Sequence, residues 1–112
     1  MSSESAEQQG LLLWWRNKYP DVLLFHIPNG GWRDIRTATH LKREGVVKGI
    51  PDLFCPRENL WIELKTKTGK LSQEQIAMHQ YLRSIGHTVI VGYGATDASK
   101  KVLERFNTIK DK

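Results

Sequence analysis

The sequence predicts an α/β domain with a mixed central sheet flanked by helices, in the order α-β-α-β-β-α-β-α. Three observations lead there. Apolar residues at helical spacing (Leu11, Leu12, Trp14, Trp15; later Val102, Leu103, Phe106, Ile109) alternate with short β-branched and aromatic runs. Two of those runs, 52–55 and 60–65, are separated only by Pro56-Arg57-Glu58-Asn59, a loop suited to a type I turn in a hairpin. The run 60–65, the helix after it and the run 87–93 form a β-α-β unit, which closes right-handed and joins parallel strands.

Each element has its own warrant. Residues 4–18 form a helix that Ser2 or Ser3 can cap and Pro20-Asp21 ends. Residues 22–27, from Val22 to Ile27, read as a buried strand that ends at Pro28-Asn29-Gly30-Gly31. Residues 33–44 read as a short helix with Ile35, Ala38 and Leu41 on one side and Gly45 as its stop. Ser72-Gln73-Glu74-Gln75 is a capping box, in which the serine and the residue three on bond each other's backbone N–H. It opens a helix with Ile76, Met78 or His79, Leu82 and Ile85 on its apolar face and Gly86 as its end. Thr96 or Asp97 can cap the last helix.

Composition narrows the function classes. At 112 residues the chain supports one domain with one core, residues 1–112, too short for an enzyme with a separate nucleotide-binding module. Lys and Arg total 17 against 12 Asp and Glu, a net charge of +5 that favours a polyanionic partner. The surplus peaks in residues 31–70, with nine basic and five acidic side chains. Cys55 is the only cysteine, which excludes an internal disulfide and a Cys-based zinc site. The polar, acidic N-terminus is no secretory signal, and the apolar stretch Leu11 to Trp15 is far short of a membrane span. A cytoplasmic protein with no membrane partner is expected.

The hairpin carries the chemistry. If Cys55 faces Leu60, Asp52 lies opposite Glu63, and cross-strand neighbours have Cβ atoms roughly 4.5–5.5 Å apart. Lys65, two residues beyond Glu63, projects from the same face. Leu53, Cys55, Leu60, Ile62 and Leu64 take the opposite, apolar face, while Phe54 and Trp61 flank the acids and can wall them from water. Opposed carboxylates repel, and a divalent cation removes the conflict. Mg²⁺ or Mn²⁺ suits Asp52 and Glu63, with the backbone carbonyl of Leu64 as a further ligand, and leaves positions for phosphate oxygens. Lys65 can contact the attacking water or stabilise charge on the phosphate. This is equipment for hydrolysing a phosphodiester. The competing reading is an exposed strand face carrying Glu63 and Lys65, with Asp52 a turn residue after Pro51.

The runs Gly45-Val46-Val47-Lys48-Gly49-Ile50-Pro51-Asp52-Leu53-Phe54, Trp61-Ile62-Glu63-Leu64-Lys65 and Gly69-Lys70-Leu71-Ser72-Gln73-Glu74-Gln75, with His26-Ile27-Pro28-Asn29-Gly30-Gly31, resemble the VRR-nuc family of the PD-(D/E)XK nuclease superfamily. The resemblance is to the compact stand-alone phage and bacterial members, which are like Holliday-junction resolvases. It implies a restriction-endonuclease-like core and a metal-dependent DNA endonuclease, selective for branched or junction DNA and working as a homodimer. It implies that Asp52 and Glu63 ligate metal, that Lys65 is catalytic, and that a first-helix glutamate, Glu7 in preference to Glu4, completes the metal site. Gln75 resembles a glutamine beside the site, and it is equally the capping-box partner of Ser72. The alternative reading is a non-catalytic nucleic-acid-binding module on the same fold. A restriction-type duplex cutter is weaker, because little chain remains to read bases.

Secondary contacts are expected around this centre. Asn29, Gly30 and Arg33, with Gly31, can let a phosphate backbone approach, although Gly-Gly equally suits a tight turn. Lys48, Lys67 and Lys70 are candidate phosphate contacts, as are Arg36, Lys42 and Arg43. Trp14, Trp15 and Trp32 can stack on bases, with core or dimer packing the better use of the first two. The histidines receive no catalytic role; His79 is structural or a modest participant.

Overall fold

The structure is a computed structural model that describes residues 3–28 and 35–110, the side chains of residues 35 and 108–110 excepted. Helix α1 spans Glu4–Lys18, and Ser3 caps it by accepting the N–H of Ala6 at 3.1 Å. Strand β1 is Phe25–His26, helix α2 Ile35–Arg43, strand β2 Leu53–Cys55 and strand β3 Leu60–Lys65. Helix α3 is Gln73–Ser84, strand β4 Thr88–Tyr93 and helix α4 Ala95–Lys110. The sheet order is β1-β2-β3-β4, with β1 and β2 antiparallel to their successors and β3 parallel to β4.

The β2–β3 register pairs Cys55 with Leu60, Phe54 with Trp61 and Leu53 with Ile62, so the next pair outward is Asp52 and Glu63. A 3-10 turn over Pro56–Glu58 makes the connection, with Asn59 left-handed at φ 47. The Asn59 N–H reaches the Pro56 carbonyl at 3.3 Å, the i→i+3 bond that a type I turn makes.

The core fills one face of the sheet. Leu53, Cys55, Leu60, Ile62 and Leu64 meet Leu11 and Trp15 of α1 and Ala98 and Val102 of α4. Helix α4 lies so close to β4 that a Cβ at Gly92 would sit 2.5 Å from the Ala98 Cβ, so glycine sets that approach. Trp14 and Trp15 pack at this end. Trp15 is buried with its indole N–H donated to the Val22 carbonyl at 2.8 Å, and Trp14 meets Tyr19 edge-on.

Three expectations need correction. The strand expected over residues 22–27 pairs only at Phe25–His26. Val22 and Leu24 are buried, but the Val22 N–H goes to the Tyr19 carbonyl and its C=O to the Trp15 indole, which leaves that residue no ladder bonds. Ile76 and Ile85, expected on the apolar face of α3, are 44% and 53% exposed. The inward stripe of α3 is Gln75, His79 and Leu82, at the i, i+4, i+7 spacing of one helix face. Thr96 and Asp97 do not open α4, which begins at Ala95. The Ala95 N–H is taken by Glu7 Oε1 of α1 at 2.8 Å, and Asp97 accepts the N–H of Tyr93 at 2.9 Å.

Among the described residues no helix is long and apolar enough to cross a membrane. Asn29, Gly30, Gly31, Trp32 and Arg33 lie outside the described residues.

Candidate active site

Asp52 sits one residue before β2, where Pro51 has just ended the preceding loop. Its backbone carbonyl accepts the Ile27 N–H and the Nδ1–H of His26, each at 2.9 Å, which fixes it against β1. Its side chain crosses to the neighbouring strand, where Oδ2 accepts the N–H of Leu64 at 2.7 Å. The N–H and C=O of one strand residue point to the same side. Lys65 gives its carbonyl to Gly94 at the β4 side, so Leu64, one residue earlier, directs both backbone groups to the Asp52 side.

Glu63 lies on the sheet face opposite the apolar core and is only 2% exposed. Helix α3 covers it. His79 Nε2 lies 3.0 Å from Glu63 Oε1, and Gln75 Nε2 donates to Oε2 at 3.4 Å. Gln75 also closes the capping box: its Oε1 accepts the Ser72 N–H at 2.8 Å and its own N–H goes to Ser72 Oγ at 3.1 Å. Both expected uses of Gln75 therefore coexist.

The Gly49-Ile50-Pro51-Asp52 segment docks against the same helix end. Gly49 has φ +92, and a Cβ there would lie 2.5 Å from the Glu74 carbonyl oxygen. Lys48 pairs with the Glu74 carboxylate at 3.4 Å, both side chains largely exposed. These contacts bring the Asp52 segment and the Gln75–His79 helix together around Glu63.

Burial pushes Asp52 up from 3.8 to about 7, reinforced by the Glu63 charge and opposed by the Leu64 N–H. Burial likewise pushes Glu63 up from 4.5 to about 7; the Lys65 cation opposes the rise and the Glu4 carboxylate adds to it. The two carboxyl groups are close enough for each to perturb the other, so near neutrality the pair retains a proton. Burial lowers His79, and the Arg83 and Lys65 cations lower it further, which keeps the imidazole neutral. Lys65 is half-buried on the Glu63 side of β3. Phe54 and Trp61 pack at a tilt of 35° with ring centroids 4.2 Å apart beside the acids, and the Trp61 indole donates to His87 Nδ1 at 2.7 Å.

The two first-helix glutamates have different environments. Glu7 Oε1 caps α4 through Ala95, whereas Glu4 is the one whose charge reaches Glu63. Glu7 and Lys67 line a cavity of about 610 Å³ with Thr66, Tyr93, Thr96 and Lys100. Lys70 is exposed on the connection into α3. Sequence reasoning did not anticipate His79 on Glu63 or His26 on the Asp52 carbonyl; for His79 the available signal was its position four residues after Gln75, on the same helix face.

Among the described residues no three His, Cys, Asp or Glu side chains cluster as a metal site. The donors present are two carboxylates and the Leu64 carbonyl. They fit a hard divalent cation of the Mg²⁺ type, which binds through one or two carboxylates and completes its shell with water and substrate oxygens. Two buried acids that retain a proton near neutrality also suit it, because a cation replaces that proton.

No family profile matches the chain, and no curated protein is similar enough to count as a match. A solved structure described as a VRR_NUC domain protein is similar to it with a TM-score of 0.76 and 20% identity, over 93% of this chain and 88% of that one. The chain has the fold of that VRR_NUC domain protein.

Proposed function

We propose that the chain is a member of the VRR-nuc family and a metal-dependent DNA endonuclease that hydrolyses phosphodiester bonds in branched or junction DNA. The observation that carries this reading is the pair Asp52 and Glu63, adjacent across the hairpin and pushed up to about 7 by burial, with Lys65 two residues beyond Glu63 on β3. The fold shared with a VRR_NUC domain protein supports it.

In this reading Asp52, Glu63 and the Leu64 carbonyl would hold Mg²⁺ or Mn²⁺; Glu7, the first-helix ligand expected from the sequence, is engaged at the Ala95 N–H, so Glu4 is the carboxylate that would add to the set. The bound cation supplies an acidified water and charge neutralisation at the phosphodiester. The rest belongs to this chain's side chains. Lys65 presents its ammonium to the negative charge that builds on phosphate oxygens during attack. Gln75 orients the Glu63 carboxylate while anchoring α3. The Phe54–Trp61 pair and α3 keep bulk water off the acids, which strengthens every charge interaction there. Lys67 and Lys70 contact neighbouring phosphates, as does Lys48 at its ion pair with Glu74. A homodimer would extend the DNA footprint of a chain this small.

The test is cleavage of labelled single strand, duplex, flap and four-way junction, with Mg²⁺, Mn²⁺ or EDTA, for wild type and Glu63→Ala. Metal-dependent cutting that the mutant loses, strongest on branched substrates, is the expected result. Binding without cutting by the wild type would establish the non-catalytic module instead.

A further inference from the structure

Helix α3 grips Glu63 at both oxygens, but the two grips are unequal. The Gln75 amide reaches Oε2 at 3.4 Å, long for a hydrogen bond, with its other end committed to Ser72. His79 reaches Oε1 at 3.0 Å and is itself 1% exposed, so no water competes for the contact. With Glu63 ionised, as cation binding requires, the carboxylate only accepts, so Nε2 carries the proton and donates. His79 is also the residue at which α3 turns inward: it is buried while Ile76 and Ile85 face solvent. A polar side chain occupies the position where packing alone would favour an aliphatic one, and its partner is Glu63.

We propose that His79 is a positioning residue that holds Glu63 Oε1 and so leaves Oε2 to a divalent cation shared with Asp52. The proposal rests on the reading of Asp52 and Glu63 as a cation site. Groups that hydrogen-bond a metal ligand from behind fix its orientation, and losing one weakens metal binding roughly 10- to 100-fold. Without His79 only the long Gln75 contact remains on the Glu63 carboxyl, and the oxygen left toward Asp52 is no longer firmly fixed.

The test is Mn²⁺ binding to the full chain by calorimetry, for wild type, His79→Ala, His79→Gln and Glu63→Ala, with a thermal melt of each. The expected result is a Kd raised about 10- to 100-fold in His79→Ala. His79→Gln, whose amide N–H reaches the same oxygen, restores most of the affinity. A purely structural histidine would lower the melting temperature and leave the Kd of the folded protein unchanged. Equal Kd values for wild type and His79→Ala overturn the proposal, as does a folded Gln variant as weak as the Ala variant. If His79→Ala does not fold, His79→Asn takes its place, because its shorter amide falls short of Oε1: weak Asn with tight Gln supports the proposal, and equality overturns it. A wild type that takes up Mn²⁺ no better than Glu63→Ala overturns the cation site itself, and the positioning role with it.

Discussion

Glu7 of α1 accepts the backbone N–H of Ala95, the first residue of α4, across 88 positions of sequence. The carboxylate does for α4 what an N-cap does from within the chain: it satisfies an otherwise unpaired N–H and places negative charge at the positive end of the helix. Glu7→Ala is expected to cost about 1–2 kcal/mol of stability, read from denaturant unfolding. Glu4→Ala, at an exposed position, should stay within about 0.5 kcal/mol in the same measurement. The order reverses for Mn²⁺ affinity, where Glu4→Ala should weaken binding and Glu7→Ala should not. A Glu7 variant that loses metal while keeping its unfolding midpoint would return the third carboxylate to Glu7.

The acid pair sets a pH dependence. Asp52 and Glu63 rise in the fold from 3.8 and 4.5 to about 7, so between those limits the folded state holds more protons than the unfolded one. Stability of the metal-free protein therefore declines as pH rises from about 4 to about 7 and is level above that. Asp52→Asn keeps an oxygen for the Leu64 N–H and removes one charge. It should melt above wild type at pH 8, by a margin on the order of 1–3 kcal/mol, and lose that margin near pH 4. Parallel melts across pH with EDTA present check this; a margin that does not change with pH would exclude it.

Gly49 combines a positive φ with a backbone approach that leaves no space for a Cβ. Gly49→Ala should cost about 1–3 kcal/mol. Because the same contact seats Asp52 against α3, cleavage by the residual folded protein should also fall. Unfolding curves and a cleavage rate normalised to folded fraction separate the two effects.

Lys65 and Glu63 divide the work on one strand. Lys65→Ala is expected to slow cleavage by roughly 10²–10³-fold while leaving Mn²⁺ affinity near wild type. Glu63→Ala should lose both. Calorimetry beside single-turnover cleavage makes the distinction, and a Lys65→Ala protein that cuts normally would remove the lysine from the chemistry.

The hairpin was readable because its side-chain period is two and its loop is short; once Cys55 faces Leu60, Asp52 and Glu63 have nowhere else to be. The capping box was readable because both of its bonds are local to Ser72 and Gln75. What sequence reasoning missed depends on distant partners. β1 is short because the backbone of Val22 is bonded to Tyr19 and to the Trp15 indole. The α4 cap comes from Glu7, outside any local window. Periodicity marked Ile76, Met78 or His79, Leu82 and Ile85 as inward; His79 and Leu82 are buried, but Ile76 and Ile85 are exposed, and Gln75 joins the inward stripe where it meets the distant Glu63 carboxylate.

The tight turn over Pro56–Glu58 also bears on how the chain reaches its fold. A hairpin with so short a loop closes in roughly microseconds, before the β3–β4 parallel pairing, which must wait for the whole α3 crossover. Asp52 and Glu63 are therefore pressed together early, before α3 has arrived with His79 and Gln75 to hold Glu63. Their repulsion falls on the barrier to folding as well as on the finished protein. Refolding should accordingly be slower above pH 7 than below pH 5, and millimolar Mg²⁺ should restore its speed at high pH, which makes the ion that serves the site an aid to building it.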